Sequence, residues 1–220
     1  MSQEGLGTSP TQTALRPELP REFVAAYKRR RIMDAAAELT AEHGYRGTRI
    51  TDIVRRAGIA RKTLYEHFDG KEAIFLAVFD EAIEEVIRRV EAAYAEAGDA
   101  WADRVEAGLG AFLTYVAEEP ALARLCLIEA PSATPRTTKR YDEAMQLFIK
   151  LARRTLPSDA SLPDTIEESL VGSVIWIVYQ RVRRRETEQV EDLLAELSDF
   201  VLAPFVGSGV IDRTRRETRL

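Results

Sequence analysis

Residues 44–75 constrain this chain more than any other stretch. They read as a short helix, a tight turn at Gly58, a second short helix and a third helix opening near Lys71. Ile50, Ile53, Val54 and Ala57 recur at three and four residues, so they share one helix face. Thr48 stands just before that face and is expected to cap the helix by accepting a backbone N–H. Gly58 follows the last periodic residue, where a left-handed residue ends a helix without strain. Ile59, Leu64 and Phe68 then supply the apolar contacts of the second helix, which leaves Arg61, Lys62, Thr63, Tyr65 and His67 to point elsewhere. Basic residues at a helix start oppose its positive dipole end, a placement that suits phosphates and base edges lying opposite. A basic helix pair around a glycine turn is the layout with which a helix-turn-helix reads the major groove of a DNA duplex.

Arg49, Arg61 and Lys62 are candidates for base edges, because Arg and Lys donate to guanine O6 and N7, and the methyl of Thr63 suits a thymine methyl. Tyr65, His67 and Lys71 are candidates for phosphate contacts, which position a helix without reading sequence.

Residues 48–72 resemble the signature of TetR-type transcriptional regulators: Thr48, Ile53, Ala57-Gly58-Ile59, Thr63-Leu64-Tyr65, His67-Phe68 and Lys71-Glu72 stand in register without a gap. The remainder resembles that family only in length and helical pattern. Two positions depart from it: Ala60 stands where the family usually has Ser, and Arg49 where Ser or Thr is frequent. The resemblance implies an all-α fold, with an N-terminal helix-turn-helix head of three helices joined by a long helix to an α-helical body that binds a ligand and dimerises. It implies that Thr48, Arg49, Arg61, Lys62, Thr63, Tyr65, His67 and Lys71 form the DNA-contacting set, in roles similar to those at matching positions of the family. It further implies a homodimer on a palindromic double-stranded operator, acting as a repressor and released by a small-molecule effector. A helical module controlled by a protein partner, with no inducer, is the alternative.

The charge pattern agrees with this division. The net charge of −5 argues against a generally basic coat for nucleic acid. From Arg21 to Glu72, however, there are 12 Lys or Arg against 8 Asp or Glu, and the rest of the chain holds 19 against 28. A basic head on an acidic body is an electrostatic footprint confined to one region. Lys28-Arg29-Arg30-Arg31 adds a basic run that is either a solvated face or a phosphate contact.

Residues 1–20, rich in Gly, Ser, Thr, Gln and Pro, read as a disordered tail. Residues 21–70 read as the DNA-binding head and 71–220 as the body. Helices are predicted from about Phe23 to His43 with Gly44 as the stop, from Lys71 to Ala97, from Trp101 to Glu119, from Ala121 to Ala130, from Thr137 to Leu156, from Pro163 to Arg185 and from Val190 to Val206. The run Leu170–Tyr179 is apolar nearly all round and demands cover. With the stripe of Leu193, Leu194, Leu197, Phe200, Val201 and Phe205 it is expected to form two helices of a dimer bundle rather than a monomer core.

Chemistry in the body is sparsely marked. Trp101, Phe112, Tyr115, Met145, Phe148, Trp176 and Tyr179 supply soft and aromatic surface for a cavity, and Glu129 is a candidate polar group within it. Catalysis is not expected. His43 and His67 both fall in the head, so a zinc site built on several His and Cys is excluded by count. No glycine-rich phosphate loop is present, and Cys126 has no histidine beside it in the sequence to act as base. No cofactor or metal is expected. A single cysteine, no secretory pattern and no apolar run near the ~20 residues of a membrane span fit a cytoplasmic protein with no membrane partner.

Overall fold

The structure, a computed structural model, describes residues 20–157 and 162–206. The proposed tail, apart from Pro20, lies outside the described residues. Among them the fold is all-α. The head is α1 (Arg21–Gly47), α2 (Ile50–Ala57) and α3 (Arg61–His67); α4 (Lys71–Glu96) runs unbroken from head to body. The body adds α5 (Trp101–Glu118), α6 (Pro120–Arg124) with a π turn (Leu125–Glu129), α7 (Pro135–Thr155), α8 (Ile166–Arg184) and α9 (Leu194–Val206).

The predicted boundaries shift where backbone chemistry decides them. Gly44 does break α1, at φ 72° and ψ 167°, but the chain turns once more before Gly47. That extra turn buries Tyr45, whose ring meets Phe75 of α4 edge-on at 5.0 Å. α7 starts at Pro135 instead of Thr137, because proline suits the first helical position. Thr134 and Thr137 close its end reciprocally: Thr137 N–H donates to Thr134 Oγ1 at 3.2 Å and Thr134 N–H to Thr137 Oγ1 at 2.9 Å. The last helix begins at Leu194, since two 3₁₀ turns, Thr187–Gln189 and Glu191–Leu193, occupy the predicted start. It continues through Pro204.

Two apolar cores form. Ile32, Leu39, Ile53, Leu64, Phe68, Ile74 and Phe79 centre the head core. Leu125, Cys126, Ala130 and Ala144, all from the body, are packed into the same cluster. Leu113, Val178, Leu197 and Phe205 centre the second. The stripe on α9 therefore divides. Leu193, Leu197, Val201 and Phe205 are buried within the chain's own body, so these four residues of the stripe expected in a dimer bundle already fill the chain's own core. Fully burying one Leu or Phe contributes about 1.5–3 kcal/mol, so this face is committed to the chain's own core. Phe200 stays 43% exposed and Trp176 60% exposed, and Trp176 stacks on Tyr179 with ring centroids 5.3 Å apart.

Candidate nucleic-acid interface and effector cavity

The head presents α3 on a rigid base. Leu64 is fully buried and Phe68 nearly so, while Ile53 and Ala57 pin α2 beneath them. Gly58 adopts φ 61° and ψ 42°, the left-handed conformation the turn needs. Arg31 Nη2 lies 2.7 Å from where a side chain on Gly58 would begin, so any larger residue there would have to push that guanidinium aside. Arg56 ties α2 to α1 through Glu38 at 2.8 Å and Glu42 at 3.0 Å.

On this base Arg61 and Lys62 stand exposed in the first turn of α3, with no ion pair among the described residues. Ala60 is the N-cap and offers no side-chain bond, in keeping with its departure from Ser. Tyr65 is 46% exposed, and the Arg61 guanidinium lies 5.7 Å from its ring centre. Thr63 and His67 are half-buried, and Arg49 is exposed at the N-cap of α2. Arg49, Arg61, Lys62, Thr63, Tyr65 and His67 thus gather on α3 and the front of α2.

The other two residues of the set are placed differently. Thr48 is 3% exposed, and its hydroxyl donates to the Gly44 carbonyl at 2.9 Å. It lies one residue before the N-cap and faces α1, so it neither caps α2 nor presents its hydroxyl at the surface. Lys71 Nζ donates to the carbonyls of Tyr45 at 2.8 Å and Thr48 at 3.0 Å, and sits 4.1 Å from the centre of the Tyr45 ring. Burial lowers its pKa from the ordinary lysine value. Two of its three donors therefore brace the α1–α2 corner. Replacing Lys71 with Met is expected to destabilise the fold by roughly 1.5–3 kcal/mol, the worth of hydrogen bonds from a charged group, measured by urea unfolding at fixed protein concentration.

The basic run of α1 is also largely engaged. Arg29 packs over Phe68 at 4.5 Å, Arg30 pairs with Asp34 at 2.8 Å and with Glu81, and Arg31 covers the Gly58 turn.

In the body, a cavity of about 420 Å³ opens between α4, α5, α7 and α8. Phe112 and Phe148 line it, with ring centroids 6.4 Å apart. Most of its wall is aliphatic: Val90, Leu109, Leu151, Leu170, Val174 and Ile175. Arg104, Arg154 and Glu91 supply charge, with Arg154 held 3.8 Å from Glu91. Tyr115 and Met145 line a smaller apolar cavity of about 40 Å³ that shares Phe112 and Phe148 with the large one. Trp101 packs edge-on to Phe205 at 5.2 Å and donates its indole N–H to the carbonyl of Thr155, a wall residue, at 2.7 Å. Four residues expected at the cavity lie outside it, Trp101 behind the wall and three elsewhere. Exposed Trp176 stacks on Tyr179, which is half-buried against the body core, and Glu129 reaches the head, accepting the Tyr45 N–H at 2.8 Å. The aliphatic wall and the two arginines escaped sequence reading, because apolar residues at helical spacing look the same whether they line a cavity or fill a core. Cys126 is sealed in the head core, and burial pushes its thiol up to about 12.

Among the described residues no helix is long and apolar enough to cross a membrane, and no group of three His, Cys, Asp or Glu is placed to hold a metal ion.

Residues 32–78 match the model of bacterial regulatory proteins of the tetR family. A fatty acid metabolism regulator protein of Bacillus subtilis is 40% identical over 60 residues, a match that spans 27% of this chain and 31% of that relative's length. The fold is also that of the fatty acid degradation regulator FadR from Bacillus halodurans, with a TM-score of 0.73 and 20% identity over 80% of this chain and 94% of that one. FadR from Bacillus subtilis, solved in complex with stearoyl-CoA, aligns with a TM-score of 0.66 and 18% identity over 78% of this chain and 96% of that one. Residues 32–78 thus carry the sequence pattern of the tetR family of bacterial regulatory proteins, and the described residues carry the fold of the two FadR structures.

Proposed function

We propose that the chain is a transcriptional repressor of the cytoplasm that grips a pseudo-palindromic operator as a homodimer and lets go when an apolar effector enters the body. In this reading residues 21–70 are the reading head and 71–220 the effector and dimerisation body. The observation that carries it is the pair Arg61 and Lys62, exposed and free of ion pairs among the described residues. They stand at the front of a helix whose opposite face, Leu64 and Phe68, is locked in the head core. Selection from random duplexes tests it, and recovery of a two-fold half-site pattern is the expected result. Replacing Arg61 or Lys62 with Ala is expected to relax preference at one or two positions of each half-site, at about 1–3 kcal/mol per lost bidentate contact. A uniform loss across all duplexes assigns the residue to the backbone instead.

The cavity supports an effector with a long apolar chain and an anionic head. Its wall is aliphatic, and Arg104 and Arg154 are its cationic groups. The complex of a structural neighbour with stearoyl-CoA agrees with that chemistry. Stearoyl-CoA is therefore the probe. At a hundredfold excess over its dissociation constant a specific ligand stabilises the folded chain by about 2.7 kcal/mol, visible as a raised melting temperature. Ala152 lies in the cavity wall, and Ala152→Trp is expected to abolish the rise while leaving operator binding intact.

A further inference from the structure

We propose that Glu129 is a positioning residue, through whose carboxylate the body sets the α1–α2 corner that aims the reading helix. The inference rests on the proposed DNA-reading role of the head.

From Pro120 to Ala130 the backbone runs as one helical segment, except that Ala130 N–H reaches back five residues to the Leu125 carbonyl at 2.9 Å. This π turn inserts one residue and rotates the chain beyond it by roughly 100°. The side chains of this segment are shared between two cores. Leu125, Cys126 and Ala130 pack with the head, and Leu127 packs with the body. Cys126 and Leu127 also line the small cavity that shares Phe112 and Phe148 with the large one. A single turn of chain therefore touches both the cavity walls and the head.

Glu129 ends that turn and crosses 84 residues of sequence to accept the Tyr45 N–H at 2.8 Å. A backbone N–H donating to a carboxylate is a charge-assisted bond, stronger than a neutral one. Gly44 makes the approach possible, since a side chain there would begin 3.2 Å from Glu129 Oε2. Tyr45 is gripped from its other side as well, where its carbonyl accepts from Lys71 Nζ at 2.8 Å. Lys71 also holds the Thr48 carbonyl, and Thr48 N–H returns to the Gly44 carbonyl at 3.1 Å. Residues 44–48 are thus pinned between a carboxylate of the body and an ammonium at the start of α4, and α2 begins at Ile50.

The test uses the full chain, a duplex recovered by selection, and two variants. Glu129→Leu removes the acceptor, and Glu129→Gln keeps an oxygen acceptor without the charge. Glu129→Leu is expected to speed amide exchange at Tyr45 by about tenfold and to weaken operator binding by about tenfold, the fold-change that one charged hydrogen bond supports. Glu129→Gln is expected to recover most of both. A general loosening of the body would instead speed exchange along α5 and α8 in parallel, and that result overturns the proposal. Unchanged exchange at Tyr45 in Glu129→Leu overturns it too, and so does unchanged operator affinity in a variant whose Tyr45 amide has been freed. If the unmodified chain selects no duplex, the DNA reading fails on its own, and exchange at Tyr45 still decides whether Glu129 holds the corner.

Discussion

Replacing Gly44 with Val lowers the unfolding free energy by roughly 3 kcal/mol and moves the urea midpoint down by about 1 M or more, given the slopes usual for small proteins. Two costs add. The backbone at φ 72° and ψ 167° falls in a region that is essentially open to glycine alone. The new Cβ would also lie 3.2 Å and 3.3 Å from the two oxygens of Glu129. Relieving either cost breaks the Tyr45 N–H bond to Glu129, so operator binding falls with stability. Gly98 is the control. It has no such backbone conformation and nothing within 4 Å of an added Cβ, so Gly98→Ala is expected to change stability by less than about 0.5 kcal/mol. Equal midpoints for the two variants would show that the corner is not strained.

The second large effect is expected at the outer face of α8 and α9. Trp176 and Phe200 are exposed there, and a second copy of the chain is the proposed cover. The parts of the two rings still exposed, 60% of Trp176 and 43% of Phe200, leave roughly 200–250 Å² for an interface to bury. At about 25 cal/mol per Å² that is several kcal/mol per subunit. The double variant Trp176→Glu/Phe200→Glu is expected to sediment as a folded monomer at micromolar concentration. Its operator affinity is expected to fall by roughly 10²–10⁴, the usual gain from joining two binding modules. Retention of the dimer, or of full affinity by a monomer, would remove both the interface and the two-headed grip. Leu197, which the sequence marks equally as an interface residue, is the wrong place for this experiment. At 1% exposure it lies in the body core, and a charge there would unfold the chain instead of splitting the dimer.

How far the sequence reaches depends on the range of the forces involved. The head was legible because its determinants are local. The three-and-four spacing of Ile50, Ile53, Val54 and Ala57, the left-handed Gly58, and the Leu64 and Phe68 anchors all act within a turn or two of helix. The exposed face of Arg61, Lys62 and Tyr65 is their complement. Helix order in the body was legible for the same reason, while its boundaries moved where Pro135 and the 3₁₀ turns before Leu194 took over.

Partners distant in the chain were not legible. Glu129 reads as a polar group in an apolar run, and only the packing of the π turn against α1 delivers it to Tyr45. Lys71 reads as a phosphate ligand, and only the turn after Gly44 brings two carbonyls to its ammonium. Trp101, Phe112, Trp176 and Tyr179 read alike as aromatic surface for a cavity, yet one lines the large cavity, one lies against a core ring and two stack on each other away from it. By itself, the sequence determined that this is an all-helical chain with a basic helix-turn-helix at one end, since periodicity, turn chemistry and charge are properties of neighbours along the chain. Tertiary structure alone decided which apolar faces close on themselves, which enclose a cavity and which remain bare, because burial depends on what packs opposite and no residue carries that information locally.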